Sequence, residues 1–553
     1  MIVKRRHVLT LVALAVTLAA FGQGPRNVPE PRFMTDDPVW DDNDRVPFSP
    51  APKRRKLSQV HDLLTNTFDD RGDSHGLPAV NANTLGGTPD SSWFTNRHGV
   101  RQMTTEELGR GPLRGDGPDT IRPWTIVAAK TEGISPGFTI RDSQDVIYFI
   151  KFDPRSNPEM LTGAEAIGIR FFHAFGYNVP ENYITVFDRA NLKVGEKAVL
   201  EDTDGRERKM RSSDIDDLLE KVPRLPDGRY RAIASRGLPG ADIGPFRYHA
   251  TRADDPNDIF PHEDRRELRG LRLFCAWLNH DDSRAINTLD MFLPERYVRH
   301  HLIDFGSILG SGSLWPQSRR DGNEYKLEWK PVLKRAFSLG LCEADWQAIR
   351  YPRYPSVGRL ESKVFQAEKW KPLYPCPPFV RMDDDDAFWA ARIIMRFSDE
   401  QIASIVRSAR YSDPAAANYV TRCLIERRDK IGHAYLTRLS PLSEFEISAE
   451  HQLVFKNLAV QYGFGRAPAG YRARWAPYDN DTRTARQSTD WETTQSPSLP
   501  VPSSVRSTVG YHRVEIVASD DAAAYMKTPV FVYIRNRDGK IEIVGIHRSE
   551  PRA

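Results

Sequence analysis

The order of strand-like and helix-like segments between residues 121 and 440 constrains the fold of this 553-residue chain more than any other feature. Short runs of β-branched and aromatic residues predict strands at 125–129, 146–152, 183–187 and 230–235. Between the second and third runs, apolar residues recur at helical spacing from Ala164 to Phe175, and Gly176 closes the pattern. From Pro261 to residue 428 helical patterns dominate. Strands with one helix, followed by mostly helices, predict an α+β fold in two lobes.

The composition of the chain changes on both sides of this region. The N-terminal part is rich in Pro, Asp, Gly and Asn, which predicts an extended or partly disordered segment that is dispensable for folding. After residue 440, strand patterns return at 511–518 and 530–547, the latter interrupted by the hairpin signal Asp538-Gly539. We therefore predict a leader (1–22), an extended segment (23–120), a first lobe (121–240), a helical second lobe (241–440) and a small β extension (441–553).

The first 22 residues have the layout of a secretory signal peptide. Lys4, Arg5 and Arg6 precede an apolar run of about 14 residues, which is shorter than the ~20 that span a membrane. The expected location is the periplasm or the outside of the cell, with an uncleaved membrane anchor as the alternative. A mean hydropathy of −0.53 excludes a multi-span membrane protein. With 78 basic against 74 acidic residues, the charge balance gives no reason to expect a nucleic-acid partner.

Three features of the central region carry the residue types that phosphoryl transfer requires. Lys151 lies within the predicted strand 146–152, Asp282 and Asn287 follow the predicted buried helix, and Asp304 ends a short apolar strand. Phosphoryl transfer uses a lysine to hold phosphates, a carboxylate to orient the attacking hydroxyl, and a further carboxylate with an amide oxygen to hold Mg²⁺.

These motifs resemble those of the protein-kinase-like superfamily over residues 121–430. Asp282 and Asn287 reproduce the Asp-x4-Asn spacing of the catalytic loop, with His280 in the place of its leading His. Asp304-Phe305-Gly306 is similar to the metal-binding DFG. The run 303–310 looks closest to phosphatidylinositol kinases, and the compact catalytic loop resembles that of HipA-type bacterial kinases.

Lys151 resembles the lysine of the third kinase strand, and Glu165 on the following helix would be its ion-pair partner. Thr162-Gly163-Ala164-Glu165 also fits a capping box, in which Glu165 serves only the helix N-terminus, whereas a helix start near 157–158 leaves Glu165 free to pair. Both alternatives stay open at this point. Gly133 and Gly137 lie where the family has its glycine-rich loop, but the full G-x-G-x-x-G is missing.

The resemblance implies an exported atypical kinase that transfers phosphate from Mg²⁺-ATP to a hydroxyl of a protein, lipid or small molecule. It implies catalytic roles for Asp282, His280, Lys151 and Glu165, nucleotide contacts from Lys151, Gly133, Gly137 and Asp304, and Mg²⁺ ligands in Asn287 and Asp304. Two alternatives remain: a non-catalytic kinase-like binding protein of the cell envelope, where ATP is scarce, and a nucleotidyl transferase on the same fold. A membrane contact is expected only through an uncleaved leader.

Overall fold

The computed structural model describes residues 30–68, 77–129, 136–201, 207–328 and 344–548. The structure is 26% helix and 24% strand, which agrees with the predicted α+β class. The predicted leader and Gly133 lie outside the described residues. Within the described ranges, no helix combines the length and the apolar composition that crossing a membrane requires.

The elements below are numbered in chain order. The helices are α1 (Gln59–Phe68), α2 (Thr105–Arg110), α3 (Met160–Phe175), α4 (Ser212–Leu219), α5 (Arg266–Leu278), α6 (Pro377–Arg381), α7 (Asp384–Met395), α8 (Asp399–Arg407), α9 (Pro414–Leu436), α10 (Leu458–Gln461) and α11 (Ser503–Ser507). The strands are β1 (Trp124–Ala129), β2 (Gly137–Arg141), β3 (Ile147–Lys151), β4 (Asn182–Phe187), β5 (Leu192–Glu201), β6 (Glu207–Lys209), β7 (Tyr230–Arg236), β8 (Ala241–Asp242), β9 (Thr288–Phe292), β10 (Val298–Leu302), β11 (Leu442–Ile447), β12 (Gln452–Asn457), β13 (Tyr471–Asp479), β14 (Thr484–Ala485), β15 (Glu492–Thr494), β16 (Ser498–Pro500), β17 (Gly510–Ala518), β18 (Val530–Arg537) and β19 (Lys540–His547).

Residues 124–236, the sheet region, form a seven-stranded sheet in the order β4-β7-β3-β2-β1-β5-β6. Neighbouring strands are antiparallel except β1 and β5, which are parallel. Successive side chains of a strand point to opposite faces. Tyr148 and Ile150 of β3 therefore join the apolar core on one face, and Lys151 projects from the other face, toward α3.

Helix α3 connects the sheet region to the rest of the molecule and is buried along nearly its whole length. Of its 16 residues, 15 are buried, among them the charged Glu165 and Arg170. It ends at Gly176, whose φ of 132° is accessible to glycine. Its N-cap is Glu159, so Glu165 lies inside the helix, and the capping-box alternative is wrong.

Residues 262–436, the helical region, pack around α5. Pro261 precedes a short 3₁₀ turn at His262–Asp264, and the helix itself begins at Arg266, slightly later than the pattern indicated. Helix α5 is buried against α7 and α9, and the Trp277 indole donates to the carbonyl oxygen of Leu424 at 2.8 Å. The hairpin β9–β10 follows α5 and leads directly to Asp304.

The N-terminal segment is extended over most of its described length, yet it supplies buried side chains to the core, which argues against the expectation that it is dispensable for folding. Trp93, Phe94, Met103 and Leu108 are buried in the same core as α3 and α5. Trp93 stacks on His300 with 3.5 Å between ring centroids. A segment without helical or strand period can still be part of a core when it supplies single large apolar side chains to distant elements.

The C-terminal part is also larger than the small β extension that was predicted. Its strands form a three-stranded sheet, β11-β12-β16, and a six-stranded sheet built on β13, β17, β18 and β19. The two sheets share a core that includes Leu453, Trp475, Ile516 and Val532. The predicted hairpin joins β18 and β19, where Asp538 and Gly539 have φ of 53° and 84°, as a type I′ turn requires.

Candidate active site

The centre of the site is an ion pair between strand β3, which carries Lys151, and helix α3, which carries Glu165. Lys151 Nζ lies 2.8 Å from Glu165 Oε1 and 2.9 Å from Asp304 Oδ1. The Lys151 side chain is 14% exposed and that of Glu165 is fully buried. Burial alone would lower the pKa of Lys151, but the charges of Asp304 and Glu165 outweigh it and raise that pKa, so the ammonium stays charged.

Glu165 connects three separate parts of the chain. Its second oxygen, Oε2, accepts from the Asn182 side chain at 2.8 Å and from the backbone N–H of Phe305 at 3.2 Å. Asn182 is fixed in turn by the Ser235 hydroxyl, which donates to its oxygen at 2.7 Å. The carboxylate thus holds Lys151 and the segment after β10 in one arrangement, because each of its oxygens is engaged by a different element.

The segment Asp304-Phe305-Gly306 packs closely against α3. Asp304 has a φ of 61°, a left-handed backbone conformation, and its side chain is 42% exposed. The Phe305 ring lies 4.7 Å from that of Phe172 on α3. Gly168 makes this approach possible, because a Cβ at that position would lie 2.6 Å from Phe305 Cβ.

His280, to which the resemblance implied a catalytic role, is buried in the loop and packs against two aromatic rings. It is buried between Phe172 and Phe305, with ring centroids 5.8 and 5.9 Å away. Its Nδ1 lies 3.4 Å from the carbonyl oxygen of Ser307. Burial lowers its pKa, so the ring is neutral at pH 7. These contacts hold the His280 ring against the Phe305 ring and the segment that follows it.

The adjacent carboxyl groups of Asp281 and Asp282 have different environments. Asp281 is buried and accepts from the Gln317 amide, and burial raises its pKa well above the usual value. Asp282 pairs with Arg284, whose Nε and Nη2 each donate to one of its oxygens, the latter at 3.1 Å. The structure therefore leaves Asp282 as the more exposed carboxylate of the two, and Asp281 braces the loop.

Asn287 lies beside Asp304 because of the register of the hairpin. In the antiparallel pair, Leu302 is opposite Thr288, and the backbone N–H of Ile303 donates to the carbonyl oxygen of Asn287 at 3.0 Å. The side-chain nitrogen of Asn287 donates to the carbonyl oxygen of Asp282 at 2.7 Å. The amide oxygen is thus the Asn287 atom suited to a cation.

Gly137 is the described residue of the predicted glycine-rich loop. It is the first residue of β2 and lies directly opposite Lys151 in the β2–β3 pair. Having no side chain, it leaves the backbone beside the Lys151 strand open to close approach. Residues 130–135, which include Gly133, lie outside the described part of the chain.

Arg284 and α1 belong to the site but were not predicted. Arg284 also lies 3.3 Å from the Gln59 side-chain oxygen, and Asp62 of α1 accepts from the Tyr374 hydroxyl at 2.5 Å. The N-terminal segment thus borders the Asp282 loop. The two-residue spacing of Asp282 and Arg284 could have indicated their ion pair from the sequence. Gln59, in contrast, lies 225 residues from Arg284, and no local pattern indicates that contact.

The residues present fit a magnesium ion only if phosphate groups complete its coordination. In the part of the chain that the structure describes, no group of three or more His, Cys, Asp or Glu side chains is placed to hold a metal ion. Mg²⁺ in phosphoryl-transfer sites commonly takes one or two protein oxygens together with substrate phosphates and water. Asn287 and Asp304 supply such a pair.

Searches of protein-family models, curated proteins and solved structures found no match to this chain.

Proposed function

We propose that the chain is an atypical kinase-like phosphotransferase that transfers phosphate from Mg²⁺-ATP to a hydroxyl of a protein, lipid or small-molecule acceptor. In this proposal the sheet region is the first lobe and the helical region is the second. The observation that carries it is the contact of Lys151 with both Glu165 and Asp304. A lysine held by a buried carboxylate, next to a second and partly exposed carboxylate, is the arrangement that positions phosphates and metal in this chemistry.

The nucleotide side of the site follows from these contacts. Lys151 would contact the phosphates, and Glu165 would keep its ammonium group in place. Asp304 and the side-chain oxygen of Asn287 would hold Mg²⁺, which when bound neutralises charge on the phosphates. Because Gly137 has no side chain, its backbone would leave room for the phosphates beside Lys151.

The acceptor side would be formed by Asp282. Its carboxylate would orient the acceptor hydroxyl and take its proton, and Arg284 would fix the direction of the carboxylate. Asn287 ties the backbone at Asp282 to the metal side through the 2.7 Å hydrogen bond to its carbonyl oxygen.

The second candidate is a kinase-like binding protein without turnover. The observation that favours it is that Arg284 engages both oxygens of Asp282, the atoms that would receive the proton. Nucleotidyl transfer is the third candidate, and the intact mass of a modified acceptor separates a phosphate from a nucleotide adduct.

The nucleotide test is the Mg²⁺-ATP-dependent thermal shift of the full chain. A ligand at 100 times its dissociation constant stabilises the folded state by about 2.7 kcal/mol, and Lys151→Met and Asp304→Ala should each abolish that shift. Lys193→Met is the matched control, since Lys193 is an exposed lysine on β5 of the same sheet. If both site variants keep the wild-type shift, the kinase-like proposal fails.

The test of turnover compares the two adjacent carboxyl groups. Asp282→Asn should lower the rate of ATP turnover by about 10²–10⁴-fold, the usual contribution of a general base, with the thermal shift retained. Asp281→Asn should lower it far less, because an amide oxygen still accepts from Gln317. The opposite ranking on folded variants would move the base to Asp281, and no turnover in wild type with an intact thermal shift would favour the binding protein.

A further inference from the structure

A cavity of about 1340 Å³ lies on another face of α3 from the Lys151 site. Ala166, Arg170 and His173, spaced as one helical stripe, line it. The remaining walls come from Arg45 and residues 91–116 of the N-terminal segment, residues 178–184 at the start of β4, the end of β7 with residues 237–239, strand β10, and the loop after α8. Neither Lys151 nor Asp304 is among its lining residues, so the cavity is separate from the candidate active site.

The lining of the cavity is rich in arginine. Among the lining residues there are eight arginines, no lysine and two carboxylates, Asp116 and Glu181. Two of the arginines are paired: Arg45 with Asp41, and Arg236 with Glu181 at 3.5 Å. Within the described residues, the other six form no ion pair with a carboxylate: Arg97, Arg110, Arg114, Arg170, Arg299 and Arg410.

Backbone groups, rather than carboxylates, hold the inner arginines in place. Arg170 is buried and donates to the carbonyl oxygens of Gly109 and Ala166 at 2.5 and 2.7 Å. Arg97 donates to two carbonyl oxygens near the C-terminal end of α3 at 2.9 and 3.2 Å. These contacts orient the guanidinium groups without cancelling their charge.

The cations act on one another across the cavity. Burial, together with the charge of Arg410, lowers the pKa of Arg170 to about 10, so that it remains charged at pH 7. Burial and the charges of Arg97 and Arg114 lower the pKa of His173 to about 3. His173 is therefore neutral at pH 7, mainly because it is buried, and the nearby charges of Arg97 and Arg114 add to that effect.

We propose that this cavity binds a small polyanion that carries several phosphate groups. The planar guanidinium group can donate two parallel hydrogen bonds to a pair of phosphate oxygens, which an ammonium group does not. The lining contains arginines and no lysine. The volume exceeds the roughly 300–1,000 Å³ of ordinary small-molecule sites, so a ligand with several phosphates fits. The six arginines without an ion pair come from four separate parts of the chain and line one concave space, which favours a compact anion over a long polymer. This site goes beyond the proposed phosphotransferase function.

The test uses inorganic tripolyphosphate as the probe, without Mg²⁺, on the full chain carrying Lys151→Met so that the proposed nucleotide site does not contribute. Isothermal titration should show saturable binding, at least tenfold weaker at 200 mM than at 50 mM salt, because salt screens attraction between charges. Absence of saturable binding would overturn the proposal. Stronger binding of duplex DNA or polyglutamate than of tripolyphosphate would overturn the assignment to a small phosphate-bearing ligand.

The variants locate the binding site. Arg114→Gln combined with Arg299→Gln should weaken tripolyphosphate binding at least tenfold, and Arg410→Gln alone, at an exposed position, should weaken it severalfold. The matched control is Arg506→Gln with Arg537→Gln, two exposed arginines of the C-terminal β region, which should leave the affinity unchanged. Equal losses in the cavity and control variants would place the binding elsewhere and contradict the proposal.

Discussion

The two faces of α3 differ in whether their charged side chains are paired with groups of opposite charge. On the face that carries Glu165, Gly168 and Phe172, a lysine lies between two carboxylates and the charges compensate one another. On the face that carries Arg170 and His173, guanidinium groups gather with few carboxylates near them. Burial is similar on both faces, so burial does not distinguish the two sites. The pairing of charges distinguishes them. On the Lys151 face the positive and negative side chains neutralise one another, whereas the arginine-lined face has an excess of positive charge that an anion from outside the chain could neutralise.

The largest expected effect comes from removing the segment on which both faces depend. A chain that begins at residue 118 loses Trp93, Phe94, Met103 and Leu108 from the core. Truncating a single buried Phe or Trp costs about 3–5 kcal/mol, against a usual total stability of about 5–15 kcal/mol. We expect no cooperative thermal unfolding of this chain by circular dichroism, whereas a chain from residue 30 should keep its transition. A cooperative transition at the full-length temperature would show that the segment is not part of the core.

A single charge removed from each face should have opposite effects on stability. Glu165→Gln breaks a buried ion pair, which costs about 3–5 kcal/mol when one partner is lost, and we expect the lower end because Asp304 still holds Lys151. Arg114→Gln removes one of several like charges, so the unfolding temperature without added anion should stay the same or rise. Urea and thermal unfolding measure both variants. A larger loss of stability in Arg114→Gln would contradict the contrast between the faces.

A further expected effect is the pH dependence of stability that the arginine-lined face imposes. His173 has a folded-state pKa of about 3, against an ordinary value of 6.5, because burial, Arg97 and Arg114 disfavour its cation. The unfolded chain therefore binds the proton more readily, and the contribution of His173 to stability, complete above pH 6.5, is lost as the pH falls from there toward 3. The difference in stability between wild type and His173→Gln should shrink over that range. A difference that is independent of pH would contradict this assignment.

Local patterns predicted those elements whose residues carry their own signal. The apolar period from Ala164 to Phe175 indicated α3, and Asp538-Gly539 indicated the last hairpin, because both depend on neighbours in sequence. The contact of Lys151 with Glu165 was expected from the family resemblance together with that period. The burial of Trp93 and the grouping of the cavity arginines could not be predicted. Their neighbours come from elements far away in the chain, and no local sequence pattern indicates such contacts.

The contact between residues 33–34 and strand β18 has a consequence for how the molecule folds. Arg535 of β18 donates to the carbonyl oxygen of Met34 at 3.1 Å, across 501 residues, and the Phe33 ring lies 5.1 Å from that of Tyr533. Contacts between residues so far apart in sequence raise the contact order and slow folding, because forming them requires the entropically costly closure of a long loop. Phe33 and Met34 can therefore make these contacts only after β18 has been synthesised, and a circular permutant could join the chain near these two segments.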